Sequence, residues 1–357
     1  MRLCLNPDCN TQNPDTVEFC EQCGCELLID RTYAVKRLLS DKSGFGTIYE
    51  VADAAQQSKV LKILKPEFNS QLKTVTLFQQ EAFLLGKIDS SGLPKIDAYI
   101  HHDLPDHQML HGIVMEKIEG LNLYEWITTH KPLSEKMAIA WLRQIVRILQ
   151  IVHQNGYFHR DIKPSNIMLR PSGQLALIDF GTAREASYTY LAKIGGLGGV
   201  TQITSAGYTS PEQERGFAVP QSDFYSLGMT FLHLITGMYP LDMHDSYTDI
   251  YVWREFAPQI SDDFAKVLER LIANRPVDRP SDCATILHSL DELDRLTKER
   301  QTQAKQLISH KAQQQTRNRI WIGLAIALAG LTGYTISVFY RILPSPIPLS
   351  PPTVQSK

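Results

Sequence analysis

The chain has 357 residues, 43% of them apolar, which is enough for a full core and for more than one domain. Its formal net charge is −2, so no overall basic field draws it to nucleic acid, which is not an expected partner. Five of its six cysteines crowd between Cys4 and Cys25, which excludes a scatter of core thiols and points to a site.

Residues 1–28 read C-x4-C, ten residues, then C-x2-C. Two close pairs can set four thiolates around one tetrahedral Zn²⁺. Cys4, Cys9, Cys20 and Cys23 are the expected ligands, with Cys25 able to substitute. Asn-Pro-Asp occurs at 6–8 and again at 13–15, and both copies favour the turns that short metal loops require. Four thiolates leave no open position, so the zinc is expected to be structural. The segment carries little basic charge, which favours protein over nucleic acid as anything the ribbon docks. It lacks the apolar stretch of a secretory signal. On a cytoplasmic side, stable disulfides are not expected.

Residues 31–295 change character partway. "YAVKRLL", "GTIYEVAD" and "KVLKIL" are short β-prone runs separated by turns. Between the first two lies "SDKSGFG", half of a phosphate-cradling G-x-G-x-x-G-x-V loop. Gly46 and Ile48 occupy its last two positions, whereas Asp41 and Ser43 stand where the first two glycines belong. Lys62 follows on a strand and can hold nucleotide phosphates. Glu81 sits in the helical stretch "FQQEAFLLGKI" and can pair with Lys62. Helices then dominate. Ile139, Leu142, Ile145, Leu149 and Val152 recur three or four apart, on a face that closes at Gly156. "DFYSLGMTFLHLITG" is apolar nearly all round and should form a buried central helix ending at Gly237.

Three strings carry the chemistry: "FHRDIKPSNIML" at 158–169, "LIDFG" at 177–181 and "GYTSPEQ" at 207–213. Asp161 can orient a hydroxyl and accept its proton. Lys163 can neutralise charge on a transferring phosphoryl group. Asn166 and Asp179 offer the hard oxygen ligands that Mg²⁺ (or Mn²⁺) prefers. A lone Asp-Phe-Gly is usually a turn and a lone strand lysine usually an edge residue; the order and spacing of the whole set argue against coincidence. His159, beside Phe158, reads as a core histidine.

On these motifs the sequence resembles the eukaryotic-like (Hanks-type) Ser/Thr protein kinases of bacteria over residues 31–295. "HRDIKPSN" matches H-R-D-x-x-x-x-N position for position, "DFG" is intact, and "SPE" at 210–212 stands for A-P-E. With the cysteine cluster in front, the chain is similar to the four-cysteine kinases of cyanobacteria. The resemblance implies an α+β, bilobal protein-kinase fold, with a β-rich N-lobe and a helical C-lobe, that uses MgATP and protein Ser/Thr hydroxyls. It implies nucleotide contacts from Ser43, Gly44, Phe45, Gly46 and Ile48 in the loop. It implies further contacts from Lys62, from Met115, Glu116 and Ile118 in the hinge, and from Asn122. It implies that Asp223 braces the catalytic loop and that Arg279 pairs with Glu212. Arg160 would meet a phosphate on the activation segment, on one of Thr182, Ser187, Thr189, Thr201 or Thr204. Ser205 would be structural, touching the catalytic loop. The altered loop keeps one alternative open, a pseudokinase scaffold that binds partners through the ribbon.

Residues 296–319 are polar and basic, a juxtamembrane linker expected to be helical or flexible. Ile320 to Tyr340 then run 21 residues without a charge, which as a helix spans roughly 32 Å, close to the hydrocarbon thickness of a bilayer. Lys305, Lys311, Arg317 and Arg319 precede this stretch, and only Arg341 and Lys357 follow it. The expectation is one transmembrane helix with the kinase domain and N-terminus in the cytoplasm. A Pro-rich tail occupies residues 341–357.

Overall fold

The structure, a computed structural model, describes residues 1–41, 46–105, 109–180, 184–185 and 205–342, with 184–185 and 331–342 described by backbone alone. It forms two compact units, Met1–Leu293 and Asp294–Lys357.

The first unit opens with a small ribbon, in which β1 (Arg2–Leu3) pairs antiparallel with β2 (Gln12–Asn13). The chain then enters a six-stranded sheet: β3 (Leu28–Ile29), β4 (Tyr33–Ser40), β5 (Gly46–Ala52), β6 (Ser58–Leu64), β7 (Ile96–Asp103) and β8 (Met109–Glu116). Its order is β3-β4-β5-β6-β8-β7, so β3 and β7 are the edges. Side chains alternate across a strand, so β6, β7 and β8 serve two cores. Leu61, Ile63 and Val114 face one way, with Val35, Tyr49 and Val51. Leu64, Ile113 and Met115 face the other, against Phe78 and Ala82 of α1 (Leu72–Lys87).

The first of these faces is covered by the ribbon. Leu3, Cys4, Leu5, Cys20, Cys25, Leu27 and Ile29 share one buried cluster with the strand residues. The ribbon is therefore continuous with the sheet through a common core, and a short edge strand, β3, continues its chain into the sheet.

A larger helical layer follows. Strand β9 (Leu121–Asn122) leads into α2 (Leu123–Thr129), and then come α3 (Glu135–Gln154) and β10 (Tyr157–Phe158). The catalytic-loop strands β11 (Ile167–Leu169) and β12 (Leu175–Leu177) pair as a hairpin, with β9 beside β11. Strand β13 (Arg184–Glu185) pairs with β10. Helices α4 (Pro211–Glu214), α5 (Pro220–Thr236) and α6 (Asp262–Leu271) complete the lobe, with a hairpin of β14 (His244–Asp245) and β15 (Ile250–Tyr251) between the last two. Helix α5 is buried along almost its whole length, as its apolar sequence requires, and Gly237 closes it in the left-handed conformation at φ 73°. Leu142, Ile145, Leu149 and Val152 of α3 are buried against it, while Ile139 is only half-buried.

Helix α7 (Cys283–Ile342) runs through residues 296–319. The expected membrane-spanning segment is the later part of this long helix. No helix among the described residues is long and apolar enough to cross a membrane. The second half of the expected span, 331–340, lies outside the residues whose side chains are described.

Candidate active site and cysteine cluster

Alternation along β6 turns Lys62 away from the ribbon core, towards α1. Its Nζ lies 2.8 Å from both carboxylate oxygens of Glu81 and 2.7 Å from Oδ1 of Asp179. Lys62 and Glu81 are buried, and Asp179 is partly open to the cleft. Burial alone would lower the Lys62 ammonium, but the Asp179 and Glu81 charges outweigh it and hold it above the ordinary lysine value. Burial likewise works to raise Asp179, yet Lys62 holds it down to about 2. Glu81, buried more completely, is raised. Gly46 makes room for this group: a Cβ there would lie 3.2 Å from Lys62 Cγ and 3.1 Å from the Ile63 carbonyl.

The catalytic loop is held from below by α5. The buried Asp223 carboxylate accepts from the backbone amides of His159 (2.8 Å) and Arg160 (2.7 Å), and His153 Nε2 lies 2.8 Å from it. These bonds fix Arg160 at φ 71°, a left-handed conformation a non-glycine residue adopts only under constraint. Gln213 Nε2 donates to the Arg160 carbonyl at 2.6 Å. His159 is fully buried, burial holds it below its ordinary value, and its Nε2 lies 3.2 Å from the Ile178 carbonyl. Its ring packs edge-on against Phe180 at 4.5 Å, joining the catalytic loop to the Asp-Phe-Gly segment.

Asp161 is gripped on both oxygens. Ser205 donates to Oδ1 at 2.6 Å, while Lys163 (2.8 Å) and Asn166 (3.0 Å) reach Oδ2. Lys163 also contacts the Ser205 hydroxyl at 2.9 Å. Asn166 spends its amide nitrogen on Asp161, including the backbone carbonyl at 2.9 Å, so its Oδ1 is the atom left for a cation. Asp179, at φ 64°, is the second left-handed non-glycine residue of the site. The structure thus brings Lys62, Glu81 and Asp179 into one group and Asp161, Lys163, Asn166 and Ser205 into another.

Other expected residues fall as follows. Met115 is buried between β8 and α1. The Glu116 amide donates to the Lys95 carbonyl at 2.7 Å, and its side chain meets Arg170 Nη1 at 2.8 Å. Ile118 is buried just beyond β8. Ile48 pairs in register with Lys62. Asn122 has a different local role: Oδ1 caps α2 by accepting from the Glu125 amide at 2.9 Å, and the Glu125 carboxylate returns to the Asn122 amide. Ser43, Gly44 and Phe45 lie outside the described residues, as do the activation-segment hydroxyls between Thr182 and Thr204. Asp41 is exposed at the end of β4.

Arg279 forms a two-pronged pair with Glu212, at 2.7 and 3.0 Å, and also donates to the carbonyls of Ala273, Asn274 and Gln221. His153 and Gln213 are supports that the motif spacing did not single out. Their partners lie 70 and 53 residues away, so no local pattern could show them.

The protein kinase domain family matches residues 42–313. The chain belongs to this family. It is 33% identical over 317 residues to Serine/threonine-protein kinase F of Synechocystis sp., covering 81% of this chain and 63% of that protein. It is 30% identical over 305 residues to Serine/threonine-protein kinase B of the same organism, covering 82% and 52%. It is 33% identical over 275 residues to Serine/threonine-protein kinase PknA of Nostoc sp., covering 74% and 48%. The chain thus spans about half to under two thirds of the length of these relatives.

At the ribbon, the sulfurs of Cys4, Cys9, Cys20 and Cys23 all lie within 4.8 Å of one another. Cys4 and Cys23 are 3.5 Å apart, and Cys9 and Cys20 are 3.6 Å apart. Four thiolates on a tetrahedral ion with bonds of about 2.3 Å lie roughly 3.8 Å apart. The donor set therefore fits such an ion. Cys25 stands outside the four, with its sulfur 3.6 Å from His102 Nε2 on β7.

Proposed function

We propose that the chain is a serine/threonine protein kinase that transfers the γ-phosphoryl group of ATP to protein hydroxyls. The observation that carries this reading is the pairing of Lys62 with both Glu81 and Asp179, which requires α1 and the Asp-Phe-Gly segment to be placed for catalysis. In this reading Lys62 meets the α- and β-phosphates, and Glu81 fixes its direction. Asp161, oriented by Ser205, Lys163 and Asn166, aligns the acceptor hydroxyl and takes its proton. Lys163 steadies charge on the transferred group. Asn166 Oδ1 and Asp179 would hold Mg²⁺, which supplies Lewis-acid neutralisation of phosphate charge when bound. The Glu116 amide is already occupied by Lys95, which leaves adenine to the Glu116 carbonyl and the backbone at Ile118.

The test uses the full chain with labelled ATP, Mg²⁺ and a mixed protein substrate. Incorporation lost in Asp161→Asn supports the kinase. A loop restored by Asp41→Gly with Ser43→Gly measures what those two residues cost. Silence in parent and restored forms alike, with the fold intact, would favour a pseudokinase scaffold.

Two further parts belong to this reading. The four thiols hold a structural Zn²⁺, supported by the convergence of their sulfurs. The chain is anchored in a membrane by residues 320–340, with the kinase domain on the cytoplasmic side. The support is the uncharged sequence and the exposure of Ile320, Trp321, Ile322, Leu324, Ile326 and Leu328 on α7. Release of the expressed protein by alkaline carbonate would overturn that anchoring. The ribbon also offers Phe19, 58% exposed, as a docking point for a protein partner. Because the ribbon shares a core with the sheet, Phe19→Ser is a cleaner test of docking than removal of residues 1–28.

A further inference from the structure

On edge strand β7 and its neighbour β8, His101 and His111 stand directly opposite in register. Opposed residues of an antiparallel pair bring their Cβ atoms within about 5 Å of each other. The two imidazole rings here are 5.0 Å apart between centroids and inclined at 75°. His101 is exposed and His111 half-buried, so water reaches the pair. Tyr99, on the same face of β7, sets its hydroxyl 2.9 Å from His111 Nδ1 and its ring edge-on to His101 at 5.3 Å. We infer that His101 and His111 form a second metal site on the N-lobe, for a divalent transition cation that prefers imidazole.

Three observations support this assignment. The first is the opposed pair itself, which supplies two nitrogen donors from a rigid strand pair rather than from a loop. The second is the Tyr99 hydroxyl, 2.9 Å from Nδ1 of His111; in the tautomer in which Nδ1 carries the proton and donates to that oxygen, Nε2 is the ligating nitrogen. A partner that accepts the other ring N–H of a ligating histidine fixes its tautomer and orientation, and the Tyr99 oxygen is placed to do so. The third is position. β7 is a sheet edge, so among the described residues no further strand covers the pair, and water can complete the coordination of a two-donor site. Donors of this type suit Zn²⁺, Cu²⁺ and Ni²⁺ rather than Mg²⁺ or Ca²⁺. The pair is separate from the cysteine cluster: His102, between Tyr99 and Asp103 on β7, points to the opposite face, towards Cys25. It lies instead on the α1 side, where Tyr99 packs on Phe78 at 6.1 Å, one turn before Glu81.

The experiment uses the full, zinc-replete chain in detergent and Ni²⁺ as the probe, which is paramagnetic and spares the thiolate site from exchange by excess zinc. Binding is followed by calorimetry, and its location by broadening of ¹⁵N-labelled histidine side-chain resonances. The expected result is saturable binding that broadens His101 and His111 first, and that is lost in His101→Ala. Tyr99→Phe, which removes the outer hydroxyl, should weaken binding about tenfold. His101 is exposed, so His101→Ala tests the site without disturbing the core; unchanged circular dichroism confirms it. Ni²⁺ binding unchanged in His101→Ala, or broadening that spares both residues, would overturn the proposal.

Discussion

Lys62 carries a charge into a place from which water is largely excluded, and two carboxylates make that tolerable. Removing one member of such a group leaves the others buried without a counter-charge, at a cost of about 3 kcal/mol. Lys62→Met should therefore lower stability by that order as well as abolish transfer. The sign of its pH dependence follows from the partners. Asp179, held near 2, contributes stability that is complete above its ordinary value of 3.8 and is lost as pH falls towards 2. In the variant that contribution is absent, and Glu81, already raised by burial, can relieve itself by taking a proton. The gap between parent and Lys62→Met should be widest at neutral pH and narrow below about pH 4. Urea unfolding at both pH values reads it, and a gap that widened in acid would contradict the assignment. At the same scale, Asp41 is exposed, so its carboxylate is open to water and screened, and Asp41→Gly is expected to change ATP affinity less than its position in the motif suggests.

Between elements, the structure depends on a few contacts that local spacing cannot announce. Gly120, in the turn into β9, has φ 127°, and a Cβ there would lie 1.9 Å from the Leu169 carbonyl on β11. Backbone cannot yield as a side chain can, so Gly120→Ala should cost more than about 1 kcal/mol and disturb the β9–β11 pairing behind the hinge. A thermal midpoint equal to the parent's would show that the turn relaxes instead. Arg279 joins α4 to the segment ahead of α7 through five hydrogen bonds to Glu212 and three carbonyls. Arg279→Lys keeps the charge but cannot reproduce the fork, and should lose a few kcal/mol of stability, measured by urea unfolding. Much of this level was nevertheless legible. Strand and helix runs at 33–64 and 137–156 follow from period and turn residues. The group Asp161, Lys163 and Asn166 lies within six residues, so its chemistry was visible as a string. The hairpin of β7 and β8 was not, because "IHHDLPDHQMLHG" lacks clean alternation and is held by pairing to β6. The capping role of Asn122 was also hidden, since a polar residue near a nucleotide cleft and one at a helix start look alike in sequence.

At the scale of the molecule, the sequence presented the ribbon as a separate module, because its cysteines are local and the kinase motifs begin later. Packing makes it part of the N-lobe. One face of β6 carries Leu61 and Ile63 into the ribbon's core, and the other carries Lys62 into the catalytic cleft. Cys4 and Cys20 belong to both the four-cysteine group and that shared core. Loss of the proposed Zn²⁺ should therefore unsettle that face of the sheet and, through β5 and β6, the nucleotide site. Treating the full chain with a strong zinc chelator, or replacing Cys20 by Ser, should lower the thermal midpoint by several degrees and raise the KM for ATP. Hydrogen exchange locates the effect: faster exchange is expected in β3, β4 and β5, with α5 unchanged because it is buried in the other lobe's core. The alternative is an appendage that loses its own fold without consequence, which would show as exchange confined to residues 1–28 and an unchanged KM. The shared core argues against that outcome, since stripping the ribbon would leave Val35, Tyr49, Val51, Leu61, Ile63 and Val114 facing water on one surface. A contiguous apolar patch of that kind is one a folded domain does not leave uncovered.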